Sequence, residues 1–193
     1  MMFATAMALM GLLSLGQAPD GAIAQALGST VLDGLAFESD IQWHRGDYAR
    51  AGLARLVAAE LDPEDAVAYI DSAWLAWSWG YTDLGRQVCR RALEMNPRSP
   101  DAAYEIAALV RLWGDGDWSL ELLRRAHRGD PADRVTALAL GAALRERELW
   151  SEAAQVYRTL AMHHEGDPSA ARFLERYEAW GHMRPTMDGA EAP

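Results

Sequence analysis

The chain has 193 residues, half of them apolar, and a formal net charge of −10. That length suits one domain with short appendages and a real core. The charge disfavours nucleic acid, whose phosphates need clustered cations. All 18 cations are arginine, so the lysine chemistry of a P-loop, a Schiff base or a Ser-Lys dyad is excluded.

In chain order, Met1 to Gly16 is almost continuously apolar, and Gln17, Pro19 and Asp20 end the run. Two small-x-small tripeptides of the kind a signal peptidase accepts come next, Ala22-Ile23-Ala24 and Ala24-Gln25-Ala26. The run is short of the ~20 residues that span a bilayer, and it carries no basic residue. Three readings of residues 1–26 stay open. They form a signal peptide, an uncleaved anchor that leaves the chain facing the periplasm, or an apolar helix packed on the first helix pair of the chain. The first two expect an exported or membrane-associated protein, the third a cytoplasmic one.

From residue 32 onward the chain keeps a beat of 34 residues. Asp65, Ser99, Asp133 and Asp167 are spaced so, as are Gly46, Gly80 and Gly114, and Pro63, Pro97 and Pro131. Small residues form columns as well: Ser39, Ala73, Ala107, Gly141; Ala51, Gly85, Ser119, Ala153; and Ala58, Ala92, Ala126, where Leu160 ends the last. A period of this length marks stacked helix pairs. Asp or Ser at the N-cap accepts from an orphaned amide of the first turn. Glycine supplies the tight turn inside the pair, and proline ends the second helix. The small columns lie where helices approach closely.

These columns resemble the tetratricopeptide repeat, a 34-residue helix–turn–helix unit. Residues 66–99 match best, through Ala73, Gly80-Tyr81, Gly85, Ala92-Leu93 and Asn96-Pro97. Units 32–65, 100–133 and 134–167 are in register with it. The resemblance implies an all-α, right-handed solenoid of about four units. Residues 168–180 read as a capping helix, with Phe173, Leu174, Tyr177 and Trp180 apolar, and 181–193 as a flexible tail. Two departures stand out. Glu38 and Gln42 occupy positions in the first unit where apolar core residues are expected, and Glu148 replaces the turn glycine of the fourth.

Chemistry is sparse. Cys89, the single cysteine, excludes an intramolecular disulfide and stands in the column of Leu123 and Tyr157, so a buried inert thiol is expected. His163-His164-Glu165 lacks the i, i+4 spacing of helical metal ligands. Asp115-Gly116-Asp117 opens like a calcium loop but has Ala126 where a bidentate Glu is required, so it reads as a turn. No G-x-S-x-G, H-E-x-x-H or dinucleotide fingerprint occurs. No catalysis, cofactor or metal is expected.

The resemblance places partner contacts on the first helix of each unit, which lines a concave groove. The candidates carried over are Trp43, His44, Ile70, Trp74, Trp77, Tyr104, Arg111, Leu112, Leu138 and Arg145. Trp43, Trp77, Arg111 and Arg145 share one place in successive units, so a row along the groove is expected, with a cation–π contact between Trp77 and Arg111. Trp79, Trp113, Trp118 and Trp150, near the turns, read as packing residues. Family members that clamp acidic chaperone tails use lysine and asparagine where this chain has Asp40, Trp74, Ala108 and Ala142; it is not that clamp. The expected role is a non-catalytic scaffold for a protein or peptide partner, assisting assembly of a bacterial envelope or membrane-associated complex. The alternative is a structural subunit whose tryptophan-rich surface is permanently buried in a complex or homo-oligomer.

Overall fold

The structure, a computed structural model, describes residues 21–164, 168 and 171–176. Among the described residues eight helices follow one another, α1 (Gly21–His44), α2 (Tyr48–Leu61), α3 (Ala66–Ser78), α4 (Thr82–Met95), α5 (Pro100–Leu112), α6 (Gly116–Gly129), α7 (Arg134–Glu146) and α8 (Trp150–His163), and residues 171–176 are helical as well. Each packs on the next, and α3 also touches α5. The result is a right-handed solenoid of helical hairpins, α1/α2 to α7/α8. No strand occurs among the described residues.

The repeated residues act locally as their spacing predicts. Asp65 accepts from the amides of Val67 and Ala68, Ser99 from Ala102, and Asp133 from Val135 and Thr136. Asp167 lies outside the described residues. Asp47 and Asp115 cap the second helices α2 and α6 in the same way. The turns inside the hairpins share one geometry. The amides of Asp47, Tyr81, Asp115 and Leu149 donate to the carbonyls of Gln42, Ala76, Val110 and Leu144 at 2.8–3.1 Å. This closure needs a left-handed residue just before the donor. Gly46, Gly80 and Gly114 supply it at φ 78°, 90° and 82°, and Glu148 adopts the same turn at φ 60° despite its side chain.

Close approach explains the small columns. A Cβ on Gly85 would stand 2.9 Å from the Ala73 carbonyl oxygen, and one on Gly141 would overlap the Tyr157 ring. At three crossings a serine hydroxyl ties the helices: Ser39 donates to the Ala51 carbonyl at 3.1 Å, Ser72 to the Gly52 carbonyl at 3.0 Å and Ser119 to the Ala107 carbonyl at 2.8 Å. The core is alanine-rich, with Tyr69, Ile106, Val110, Leu144 and Leu160 its largest fully buried members and Cys89 among them.

Three expectations need adjustment. The first helix begins at Gly21, well ahead of residue 32. Its polar positions are also not a gap in the core. Gln42 is buried and donates to Glu38 at 2.7 Å, so an internal hydrogen bond replaces apolar packing. Trp79 does not pack: it is 51% exposed beside Tyr81 on the turn. Trp113, Trp118 and Trp150 do lean on the core. At the far end the Phe173 ring stacks on that of Tyr157, with centroids 5.4 Å apart. Tyr177, Trp180 and residues 1–20 and 181–193 lie outside the described residues. Among the described residues no helix is long and apolar enough to cross a membrane.

Candidate partner-binding groove

Trp43 near the end of α1 and Trp74 on α3 come together across the first repeat boundary. Their rings are 5.3 Å apart and tilted by 39°, and each side chain remains over a third exposed. Tyr48 meets Trp43 edge-on at 4.8 Å and steadies it from behind. The pair borders a cavity of about 170 Å³ whose walls also include Ser39, Asp40, Arg55, Asp71 and Leu75. Arg55 reaches from α2 to Asp71 on α3, 3.4 Å away. Burial raises the Asp71 carboxyl above the usual range; Arg55 opposes that shift, and Asp65 adds to it. The place is an aromatic shelf beside a small cavity with a paired charge at its base.

The expected row of four is not continuous. Trp77 is half-buried and tilts against Trp113, with ring centroids 6.5 Å apart. Arg111 is held by Glu146 of the next unit at 2.7 Å. The cation–π contact found among the described residues lies elsewhere, with Arg90 over Trp118 at 5.5 Å. The reason is reach: a charged acceptor on the neighbouring helix takes Arg111, while Trp77 finds apolar cover. Such an exposed pair contributes only about 0–1 kcal/mol, so a partner's carboxylate can compete for Arg111. Arg145 and Leu112 are exposed further along. Ile70, Tyr104 and Leu138 are half-buried against the core and offer only edges. His44 turns back on its own helix, its Nδ1 2.9 Å from the Asp40 carbonyl.

Arg55, Asp71 and Leu75 also line the site, and the sequence pattern does not single them out as contacts. Arg55 carried a signal, since it is the charged member of the column that continues as Cys89, Leu123 and Tyr157. Asp71 carried none, because a carboxylate on a first helix looks like any solvated charge.

The residues considered for chemistry are structural. Cys89 is fully buried, and burial pushes its thiol up to about 12, so it holds its proton at neutral pH. Asp115 caps α6, and Asp117 pairs with Arg147 at 2.9 Å. The Nε2 of His164 lies 2.7 Å from the Ala132 carbonyl of the preceding unit, tying the last two hairpins together. Glu165 lies outside the described residues. No group of three or more metal-capable side chains occurs among the described residues.

Hairpins in sequence order, with one turn geometry and one column of close contacts, define the tetratricopeptide-type helical repeat fold. Solved structures agree. The chain is similar to the MamA protein (13% identity, TM-score 0.58, covering 81% of this chain and 85% of that one). It is also similar to pilF of Pseudomonas aeruginosa (16%, TM-score 0.56, 81% and 71%). A third similar structure is YrrB, described as a TPR protein with an unusual peptide-binding site (18%, TM-score 0.52, 76% of each). No family model and no curated protein matches the chain.

Proposed function

We propose that this protein is a non-catalytic scaffold that holds a segment of a partner polypeptide along its first helices. The observation that carries this reading is the Trp43–Trp74 shelf. Two large indoles remain over a third exposed beside a cavity, where a monomer with no partner gains nothing from keeping them wet. Aromatic residues and arginine dominate binding energy at interfaces. The shelf takes an apolar side chain of the partner, while Arg111 and Arg145 take a carboxylate further along. The likeness to YrrB, whose description names a peptide-binding site, supports a peptide as the guest.

The test is selection of peptides from a random display library on the full chain, repeated with Trp43→Ala/Trp74→Ala. The expected peptides pair a large apolar residue with an acidic one, and the double variant weakens them at least tenfold while its urea midpoint hardly moves. Failure to select any peptide, or a stability loss of ~3 kcal/mol or more as for core truncation, would overturn the reading.

A setting in the bacterial envelope, with the scaffold assisting assembly of a membrane-associated complex, rests on residues 1–26 alone. Sequencing the amino terminus of the protein purified from its own host tests it. A permanently buried structural subunit is the second reading. It is favoured by Trp79 and Tyr81, exposed together outside the groove with rings 5.5 Å apart. Sedimentation at rising concentration separates the two, since a free scaffold stays monomeric.

A further inference from the structure

The walls of the cavity beside Trp43 and Trp74 carry two carboxylates, Asp40 and Asp71, against one guanidinium, that of Arg55. Asp40 is largely exposed, with the His44 Nδ1 3.5 Å from its Oδ1. Asp71 meets Arg55 at 3.4 Å, and both side chains stay partly open to solvent. Burial keeps the Asp71 carboxyl above its usual range even with Arg55 beside it, and Asp65 adds negative charge nearby. Asp71 thus has less positive charge around it than its surroundings call for. The other repeat boundaries show what packing needs. One boundary along, the places of Asp40, Arg55 and Trp74 pass to Trp74, Cys89 and Ala108, and at the next to Ala108, Leu123 and Ala142. The place of Asp71 passes to Glu105 and then to Ala139. The same crossings form with alanine and leucine there, so packing does not demand a charged cavity flanked by two indoles. Over these places, two carboxylates and two indoles share a boundary only at the first.

We propose that this cavity receives an arginine side chain of the partner segment, its stem against Leu75 and the indole rings and its guanidinium toward Asp40 and Asp71. The inference rests on the scaffold reading and adds the residue that stands beside the apolar one on the shelf. Charge sets the class of guest. Two carboxylates against one fixed cation leave the cavity net negative, as the chain is at −10. A carboxylate is therefore repelled, while a cation gains from the indole faces and gives Asp71 a second partner. Shape favours arginine over lysine. A guanidinium is flat and weakly hydrated, stacks on aromatic rings and offers carboxylates a fork of donors. Size agrees, since about 170 Å³ falls short of the ~300–1,000 Å³ of a small-molecule pocket and suits a single side chain. Arg55 and the guest compete for Asp71, and that competition gives the test its sign.

The test follows the indole N–H signals of Trp43 and Trp74 in the full chain by NMR while N-acetylarginine amide is added. Both signals are expected to shift saturably at about millimolar concentration, the range for so small a guest. N-acetylcitrulline amide, the neutral isostere, is expected to bind about fivefold more weakly. Arg55→Gln removes the competing cation and is expected to tighten the arginine amide about threefold, a gain that misfolding cannot mimic. Asp71→Asn is expected to weaken it about fivefold. Indole signals unmoved by the arginine amide, citrulline that binds as well, or an Arg55→Gln chain that binds less would each overturn the proposal. The scaffold fails on different results. Display peptides that pair an apolar with an acidic residue, but carry no arginine beside the apolar one, would overturn the cavity's role and leave the scaffold standing. An arginine amide that seats while no peptide is ever selected would overturn the scaffold, and the proposed partner with it.

Discussion

In the column that runs Arg55, Cys89, Leu123, Tyr157, the two end members behave differently. Tyr157 is buried, fills the space above Gly141 and stacks on Phe173. Arg55 is partly exposed and spends its charge on Asp71 beside the groove. Around Tyr157 the last hairpin packs Leu140, Leu144 and Leu160, and Phe173 stacks on the ring. Around Arg55 the first hairpin is polar inside, through Ser39 and the Gln42–Glu38 pair, and apolar outside, through Leu53, Val57 and Phe37. The contrast shows that a repeat position has no fixed chemistry. What lies beyond it in the stack decides what it must be.

Breaking each end should therefore cost different amounts. Tyr157→Ala removes a buried ring with contacts on both sides and is expected to cost ~3–5 kcal/mol in urea unfolding, whereas Arg55→Ala loses a partly exposed ion pair of ~0–1 kcal/mol. Equal losses at the two sites would erase the distinction. Next in size, Glu38→Ala leaves the buried Gln42 amide without its acceptor, a cost of ~1–3 kcal/mol, while replacing both residues by leucine should be nearly neutral. If the double change is as damaging as the single one, the polar interior is not a satisfied pair.

Glu148→Gly should stabilise the last hairpin by about 1 kcal/mol and raise Tm by ~2–4 °C, because the residue sits at φ 60°. The same substitution at an ordinary helical site would destabilise, so the sign itself is diagnostic. The smallest effect is with pH. Burial holds the His127 imidazole below its usual range; Asp130 and Asp133 oppose that shift, and His163 reinforces it. A depressed histidine contributes its stability fully above the ordinary value of 6.5 and loses it as pH falls below. Protection of α6 to α8 should thus decline as pH falls from about 7.5 to about 5.5 while α1 to α3 change less, and His127→Gln should flatten the difference.

Much of the fold was legible because the determinants are local and recur. A cap, a left-handed turn residue and a helix-stopping proline act within a few residues of themselves, so spacing reveals them without any knowledge of neighbours. The groove was less legible. Repeat register picks out both Trp43 and Trp74 but aligns Trp43 with Trp77 by its place in the unit. Adjacent units are offset by a helix crossing, so the ring it meets is Trp74. Trp79 misleads for the same reason: nothing local shows whether a neighbour covers a turn residue.

By itself the amino-acid sequence determined the helical hairpins, their number and order, and the absence of lysine chemistry, because each follows from backbone preferences or composition within one unit. Only the tertiary structure decided which side chain of one unit meets which of the next. It turned Arg111 to Glu146, set Trp43 against Trp74, and left the apolar line of α2 uncovered among the described residues. The physical reason is that those outcomes depend on packing angles and on competition between partners tens of residues apart, and neither is written in a 34-residue period.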